Sequence, residues 1–472
     1  MIDEEKIHSL IQRTKKDAKS LTKIEDILAK AKQNAIKPSS EYSQGLSLED
    51  AAILLNVDSE DEKIMNPIYS AALEIKRRIY GNRIVIFAPL YVSNYCASSC
   101  LYCGFRVDND KINRKILSTQ ELIEEVKSLQ MQGHKRLLML MGDHPKYSVD
   151  DFVEHIKIVS SVKNDPHGEI RRINVEIPAL KLDEFKKLKD TNSIGTYILF
   201  QETYHRETYK KMHPFGPKSN YDWRLNTMDR ALQAGMGDVG IGALFGLYDY
   251  RFEVLSLLIH ADYLDKKYSI GPHTISVPRI KPALNTPCSL KPPFPVNDLD
   301  FKKLVAIIRI AVPYTGIILS TRESPEMRKQ ILDIGVSQIS AGSKTQPGGY
   351  GEKKQNDSSQ FSLSDERATK DVIHELIELS FIPSWCTACY RSNRTGKAFM
   401  DIAKKGEIHN LCHPNALLTF AEYLIDYANE KTQKIGWELI EKQIGEISNG
   451  SKQDFLKKSL EFIKNGKRDL FI

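Results

Sequence analysis

Apolar and polar positions divide the chain into stretches of different period. From residue 1 to about 80, apolar residues recur at helical spacing, as in "EEKIHSLIQRTKKDAKSLTKIEDILAKAKQ", which predicts an N-terminal helical segment. "SLEDAAILLN" opens on a Ser47…Asp50 capping pattern. From Arg83 the period changes. Short apolar runs suited to buried parallel strands occupy 83–89, 135–142, 173–179, 195–201, 238–246, 273–278, 315–320 and 336–342. Helical patterns separate most of them: "STQELIEEVKSLQMQG" starts on Ser118, and "RLNTMDRALQAG" stops at Gly235. Eight such units over residues 81–343 predict an α/β fold, a (β/α)8 barrel. Residues 344–364, "KTQPGGYGEKKQNDSSQFSLS", are polar and rich in Gly, Ser and Gln, and read as a linker or exposed loop. Residues 365–472 return to helical patterning and form a C-terminal domain.

Composition narrows the class. The 472 residues are 41% hydrophobic and 27% charged, with a formal charge of +6, which gives no case for a nucleic-acid partner. The charged N-terminus has no apolar h-region, and no run approaches the length of a membrane span, so neither a signal peptide nor a membrane is expected. Of seven cysteines, six fall into two tight groups. That spacing points to metal or cluster binding in a reducing, cytoplasmic compartment.

The first group is "YVSNYCASSCLYCGFR", with Cys96, Cys100 and Cys103 on the loop after the first strand. A structural zinc needs four protein ligands, and no His or further Cys follows within twenty residues. A cubane [4Fe–4S] cluster held by three thiolates instead keeps one iron open for a non-protein ligand. Zinc with a distant fourth ligand remains the alternative. Active sites of barrels lie at this C-terminal face of the strands.

Cys-x3-Cys-x2-Cys with Tyr102 before the last cysteine resembles the radical SAM superfamily signature. The resemblance implies that S-adenosylmethionine (SAM) chelates the open iron and is cleaved to a 5′-deoxyadenosyl radical. "RIVIFAPLYVSNYC", "IGTYILFQETYHRETYKKMHPFGPK", "GIGALFGLYDYRFEVLSLLIHADYL", "GPHTISVPRIKPA" and "SAGSKTQPGGY" resemble the tyrosine lyase branch of that superfamily. Carried over position by position, the likeness implies that Tyr102 packs near the adenine. Gly142-Asp143 stands where the family has a Gly-Glu that holds the methionine amino group, here with an acid one methylene shorter. Glu202 is implied as a SAM contact, and Arg322, in "STRE", as the receiver of a substrate or methionine carboxylate.

The second group is Cys386-x2-Cys389 with Cys412 farther on and His413 beside it. On spacing, this is either a Cys3His zinc site or a second three-thiolate cluster. "CTACYRSNRTGKAFMDIAKKGEIHNLCHPNALLTFAEYLIDYA" resembles the C-terminal domain of the [FeFe]-hydrogenase maturases within the tyrosine lyase branch. That resemblance implies an auxiliary iron–sulfur cluster on Cys386, Cys389 and Cys412, carrying an additional labile iron. His260 is the implied protein ligand of that iron and His273 the second candidate, with free cysteine as a further iron ligand. Cys288 receives no role. The implied activity is cleavage of L-tyrosine to p-cresol and dehydroglycine, then formation of CO and cyanide for an iron synthon. A flavodoxin or ferredoxin would be the electron donor and other hydrogenase maturation proteins the partners. A 2-iminoacetate synthase that stops at dehydroglycine is the alternative.

Overall fold

The computed structural model describes residues 1–35, 45–351 and 358–472. Eight parallel strands form the barrel: β1 (Arg83–Ser93), β2 (Arg136–Met141), β3 (Arg172–Glu176), β4 (Ile194–Glu202), β5 (Asp238–Ala243), β6 (Thr274–Ser276), β7 (Gly316–Leu319) and β8 (Gln338–Ser340). Each pairs with the next, and β8 closes on β1 through Val85↔Gln338, Ile86↔Ile339 and Phe87↔Ser340. All eight expected strands are present. Their ends differ by a few residues: β1 runs on through Leu90, Tyr91 and Val92, whereas β3 stops before Pro178. Proline has no N–H to give a ladder.

Helix termini follow the local chemistry. The Ser118 hydroxyl accepts from Glu121 N–H while the Glu121 carboxylate accepts from Ser118 N–H, a complete capping box before the helix Thr119–Met131. Such a cap stabilises its helix by about 1 kcal/mol. N-terminal helices, the longest being Glu62–Tyr80, pack on the barrel; Glu62–Tyr80 lies against the helix Asp298–Ala311. The C-terminal part is helical, with His409–Asp426 as its longest and most buried element. Among the described residues no helix is long and apolar enough to cross a membrane.

A short hairpin, Lys163–Asn164 with Gly168–Glu169, lies outside the barrel, and one further strand joins the barrel sheet, none of them expected. β9 (Ile382–Ser384) pairs in parallel with Arg83–Val85 of β1. At Val85 the other edge of β1 belongs to β8, and β2 joins β1 only from Ala88 onward. β9 therefore fills the edge that β1 leaves free before β2 begins. It delivers Cys386, two residues on, to the N-terminal end of the barrel.

Side chains alternate along β1. Arg83 and Val85 line a pocket at the N-terminal end, and Phe87, Pro89 and Tyr91 line a cavity above it. The described part of 344–364 is not a free linker. Thr345, Gln360 and Phe361 close over the barrel mouth, where Gly104 N–H donates to Gln360 O (2.9 Å) and Gln360 N–H to Thr345 O (2.9 Å). Residues 352–357 lie outside the described residues.

Candidate active site

The loop after β1 holds Cys96, Cys100 and Cys103 without regular structure, so its backbone is pinned to neighbouring loops. Ala97 N–H donates to Asp143 O (2.7 Å), Ser99 N–H to Phe215 O (3.0 Å) and Leu101 N–H to Met212 O (3.0 Å). Gly142, just after β2, permits this approach: a Cβ there would stand 2.1 Å from Tyr95 O and 3.2 Å from Cys96 Cβ. The three thiols feel one another. Burial pushes the Cys100 thiol up, Lys218 pulls it back, and Cys103 and Cys96 push it further. Cys103 is raised by burial and then by Cys96. Clustered thiols of this kind, Cys100 buried and Cys96 and Cys103 half-buried, suit a cationic metal group that takes up their charge.

Around the loop the expected SAM contacts are placed as follows. Tyr102 is buried with Cys100, Met212 and Ile280, and its hydroxyl meets His213 Nε2 at 2.8 Å. Glu202 ends β4 at φ 71, an unusual conformation for a side-chain-bearing residue. Its Oε1 accepts from Lys218 Nζ (2.5 Å) and Arg224 Nη2 (3.3 Å); Glu202 and Arg224 are buried and Lys218 is half-buried. Burial alone would raise the Glu202 carboxyl; Lys218 and Arg224 more than offset it and hold it low. Removing one member of such a buried group typically costs about 3–5 kcal/mol. Asp143 lines a separate groove beside Lys218 and Arg224, its carboxyl raised by burial and restrained by those two cations.

Among the described residues Arg322 forms no ion pair at the barrel rim. Its neighbour Glu323 takes that role with Arg279 and Lys281. The Arg322 guanidinium lies 3.3 Å over the Phe361 ring and faces the upper cavity. Phe87, Leu138, Leu140, Ile198 and Phe200 give that cavity apolar walls, and Tyr91, Glu176 and Arg322 its charged and phenolic groups. The Tyr91 hydroxyl donates to Gln360 Oε1 (2.8 Å), and Gln360 Nε2 stands 3.7 Å from Cys103 Sγ. The lid thus touches both the cavity and the cysteine loop.

At the other end of the barrel, Cys386, Cys389 and Cys412 line one pocket with Arg83, Arg136 and His273. Along β1, the residues facing this pocket and the end of the strand near the first loop are about 26 Å apart, at roughly 3.3 Å per residue from Val85 to Ser93. Cys389 donates toward Cys412, which lowers the Cys412 thiol, with burial opposing and Arg83 assisting; Cys389 is raised by the same contact. Arg136 Nη1 holds the Cys386 carbonyl at 2.5 Å.

His260 stands apart from the pocket of the second thiol group. It is buried in the helix Tyr250–Tyr268, its Nδ1 2.9 Å from the Tyr204 hydroxyl. His273, just before β6, does line that pocket. Its ring packs 4.4 Å from Phe399, and Asp238 Oδ1 stands 3.7 Å from its Nδ1. Burial lowers its pKa, with Asp238 opposing, which leaves a neutral imidazole. His413 faces elsewhere, beside His409 at 5.0 Å between centroids, so it does not complete a Cys3His set. Among the described residues no three of His, Cys, Asp and Glu are compact enough for one metal ion. A tetrahedral zinc would need sulfurs about 3.8 Å apart, given bonds of about 2.3 Å; a polynuclear cluster needs a wider triad.

Sequence reasoning missed Glu176, Tyr91, Lys218, Arg224 and Gln360 at the upper end. Glu176 did carry a signal, as a lone acid closing an apolar strand in "INVEIPA".

Comparison with known proteins gives this geometry a family. Residues 90–257 match the Radical SAM superfamily model, and 276–382 match the Biotin and Thiamin Synthesis associated domain. The 2-iminoacetate synthase of Salmonella typhimurium is 31% identical over 342 residues, 72% of this chain and 87% of its own. That of Escherichia coli is 32% identical over 66% of this chain and 80% of its own. The crystal structure of HydG, a maturase of the [FeFe]-hydrogenase, is 49% identical, covers 100% of this chain and 99% of its own, and superposes with a TM-score of 0.93. The chain belongs to the HydG family of radical SAM enzymes. HydG from Carboxydothermus hydrogenoformans is also similar, 39% identical over 98% of this chain and 100% of its own, with a TM-score of 0.81. Membership of the radical SAM superfamily brings a [4Fe–4S] cluster that binds SAM, and the donor set of the first loop fits it. Cys386, Cys389 and Cys412 lie beyond both matched regions, in the part of the chain that the HydG structures cover.

Proposed function

We propose that the protein cleaves L-tyrosine to p-cresol and dehydroglycine at one end of its barrel and turns dehydroglycine into CO and cyanide at the other. The product would be an iron carbonyl–cyanide synthon for an [FeFe]-hydrogenase. The observation that carries this reading is the pair of three-cysteine groups at opposite ends of one barrel. The likeness to HydG, a maturase of the [FeFe]-hydrogenase, supports the destination.

When bound, the groups supply a 5′-deoxyadenosyl radical from SAM at the first site and, at the second, an iron open to CO and cyanide. The chain's own residues do the rest. Cys96, Cys100 and Cys103 hold the first cluster, and Cys386, Cys389 and Cys412 the auxiliary one. Tyr102, Gly142, Asp143 and Glu202 border SAM. Arg322 takes the tyrosine carboxylate in a bidentate fork, and the apolar walls take the phenol ring. Phe361 and Gln360 cover the mouth and exclude water. A one-electron donor, a flavodoxin or ferredoxin, and other maturation proteins complete the system. The 31–32% identity to 2-iminoacetate synthases favours one alternative, a lyase that releases dehydroglycine. Anoxic incubation with tyrosine, SAM and reductant should give SAM-dependent p-cresol; none would end both readings.

His273 replaces His260 as the ligand of the additional iron. A neutral imidazole oriented by a nearby carboxylate is a common metal ligand. His273→Ala should therefore keep both four-iron clusters and p-cresol formation but lose the high-spin EPR signal of the five-iron form. His260→Ala should keep that signal. The opposite pattern would return the role to His260.

A further inference from the structure

The upper cavity contains one carboxylate, and it is unpaired. Glu176 closes β3 and faces the cavity with Arg322, Tyr91 and the apolar walls. Among the described residues its carboxyl has no hydrogen-bond or ion-pair partner. Arg322, the cavity's guanidinium, likewise has no carboxylate partner, and makes only a 3.4 Å contact to Arg279 O beyond its stack on Phe361. An unpaired acid facing an apolar cavity is costly. One unpaired cation and one unpaired anion in an apolar cavity match a zwitterionic α-amino acid with an aromatic side chain.

We propose that Glu176 is the base that removes a proton from the ammonium group of the bound amino acid. This rests on the tyrosine-lyase reading. With the substrate carboxylate on Arg322, the ammonium lies one carbon away and within the cavity that Glu176 faces. At neutral pH the amine of a free amino acid is protonated. Removing a hydrogen atom from an ammonium would leave a nitrogen radical with no lone pair to stabilise it. Removing one from a neutral amine leaves an aminyl radical that has that pair. The proposed step is a proton transfer only: one N–H bond breaks, its electron pair stays on nitrogen, and an O–H bond forms on Glu176. No oxidant or reductant is needed for it.

The electrostatics agree. Burial pushes Glu176 up to about 7, the Glu202 carboxylate adds to this, and Arg322, Lys218 and Arg224 pull it back. Tyr91 faces it from β1, its own phenol raised by burial and then by Glu176. A base near neutrality can hold a proton or release it at working pH. The sign follows: Glu176 is ionised and competent above about pH 7 and loses that form as pH falls through it.

The test uses the full-length holoenzyme with both clusters reconstituted. Rates of p-cresol formation are measured against tyrosine concentration from about pH 6 to about pH 9. The wild type should show an acidic limb near pH 7. Glu176→Gln should lower kcat by about 10²–10⁴-fold, the usual worth of a general base, with KM changed by no more than about threefold. Its residual rate should lack the acidic limb, and Glu176→Asp should recover part of both. Iron content and cluster absorbance report whether each variant is folded and loaded. Unchanged kcat in Glu176→Gln, an acidic limb that persists in it, or a raised KM alone would overturn the assignment while leaving tyrosine cleavage standing. A wild type that forms no p-cresol would overturn the tyrosine-lyase reading and this inference with it.

Discussion

Replacing Cys96, Cys100 or Cys103 by Ala should abolish deoxyadenosine formation and remove about four iron atoms per chain. The effect is all-or-none because the first loop has no spare ligand. Its other polar contacts, such as the backbone hydrogen bonds to Asp143, Met212 and Phe215 and the Ser98 and Ser99 hydroxyl contacts, hold the backbone in place and supply no thiolate. Two thiolates cannot hold the cubane while one iron stays free for SAM. The fold should survive, since the loop is pinned by those backbone bonds and by the Gly142 contact. Anaerobic iron analysis and chromatographic detection of deoxyadenosine check this directly. Undiminished SAM cleavage in any one of the three variants would show that the loop is not the SAM-cluster site.

Loss of Cys386, Cys389 or Cys412 should have the complementary effect. These thiols lie at the N-terminal end of the barrel, in a pocket with Arg83, Arg136 and His273 that shares no lining residue with the upper cavity. p-Cresol formation should continue, while CO and cyanide fall to background and about four to five iron atoms are lost. Cys412→Ser is the most informative, because Cys412 is the thiol that its neighbours Cys389 and Arg83 favour as thiolate. Arg83 in such a variant loses the anionic neighbour that does most to keep it charged in a buried site. Some loss of thermal stability should therefore accompany the change in metal content. Variants that keep a loaded first cluster yet cleave no tyrosine would contradict the division of labour between the two ends.

The barrel was legible because each strand is an apolar run closed by turn residues, and Ser118 and Gly235 mark helix ends by their own chemistry. β9 was not, since Ile382-Pro383-Ser384 carries no period; it is a strand only because β1 leaves an edge free below β2. The 344–364 stretch was misread for a related reason. Its Gly- and Ser-rich composition reports what the backbone can adopt, not that Gln360 and Phe361 are held over a cavity. The cysteines of each group were legible as groups by spacing alone. Which histidine lines the second group's pocket was not, because His260 and His273 both sit among apolar neighbours in the sequence. Only the closed sheet shows that the start of β6, where His273 stands, opens on the same pocket as Cys412, while the helix carrying His260 packs outside it. Glu176, Lys218 and Arg224 come from three separate elements, so their meeting is a property of the fold.

The central claim is that one chain takes tyrosine to CO and cyanide in two places. The most direct measurement follows label from tyrosine uniformly enriched in 13C and 15N, supplied anoxically with SAM, reductant, iron, sulfide and cysteine. Dehydroglycine has one carboxyl carbon and one carbon doubly bonded to nitrogen. The expected products are labelled p-cresol, 13CO from the carboxyl carbon and 13C15N-cyanide from the carbon–nitrogen pair, the last two appearing as vibrational bands of an iron-bound species. Labelled p-cresol with labelled dehydroglycine or glyoxylate, and with neither CO nor cyanide from protein carrying both clusters, would contradict the claim and leave a 2-iminoacetate synthase in its place.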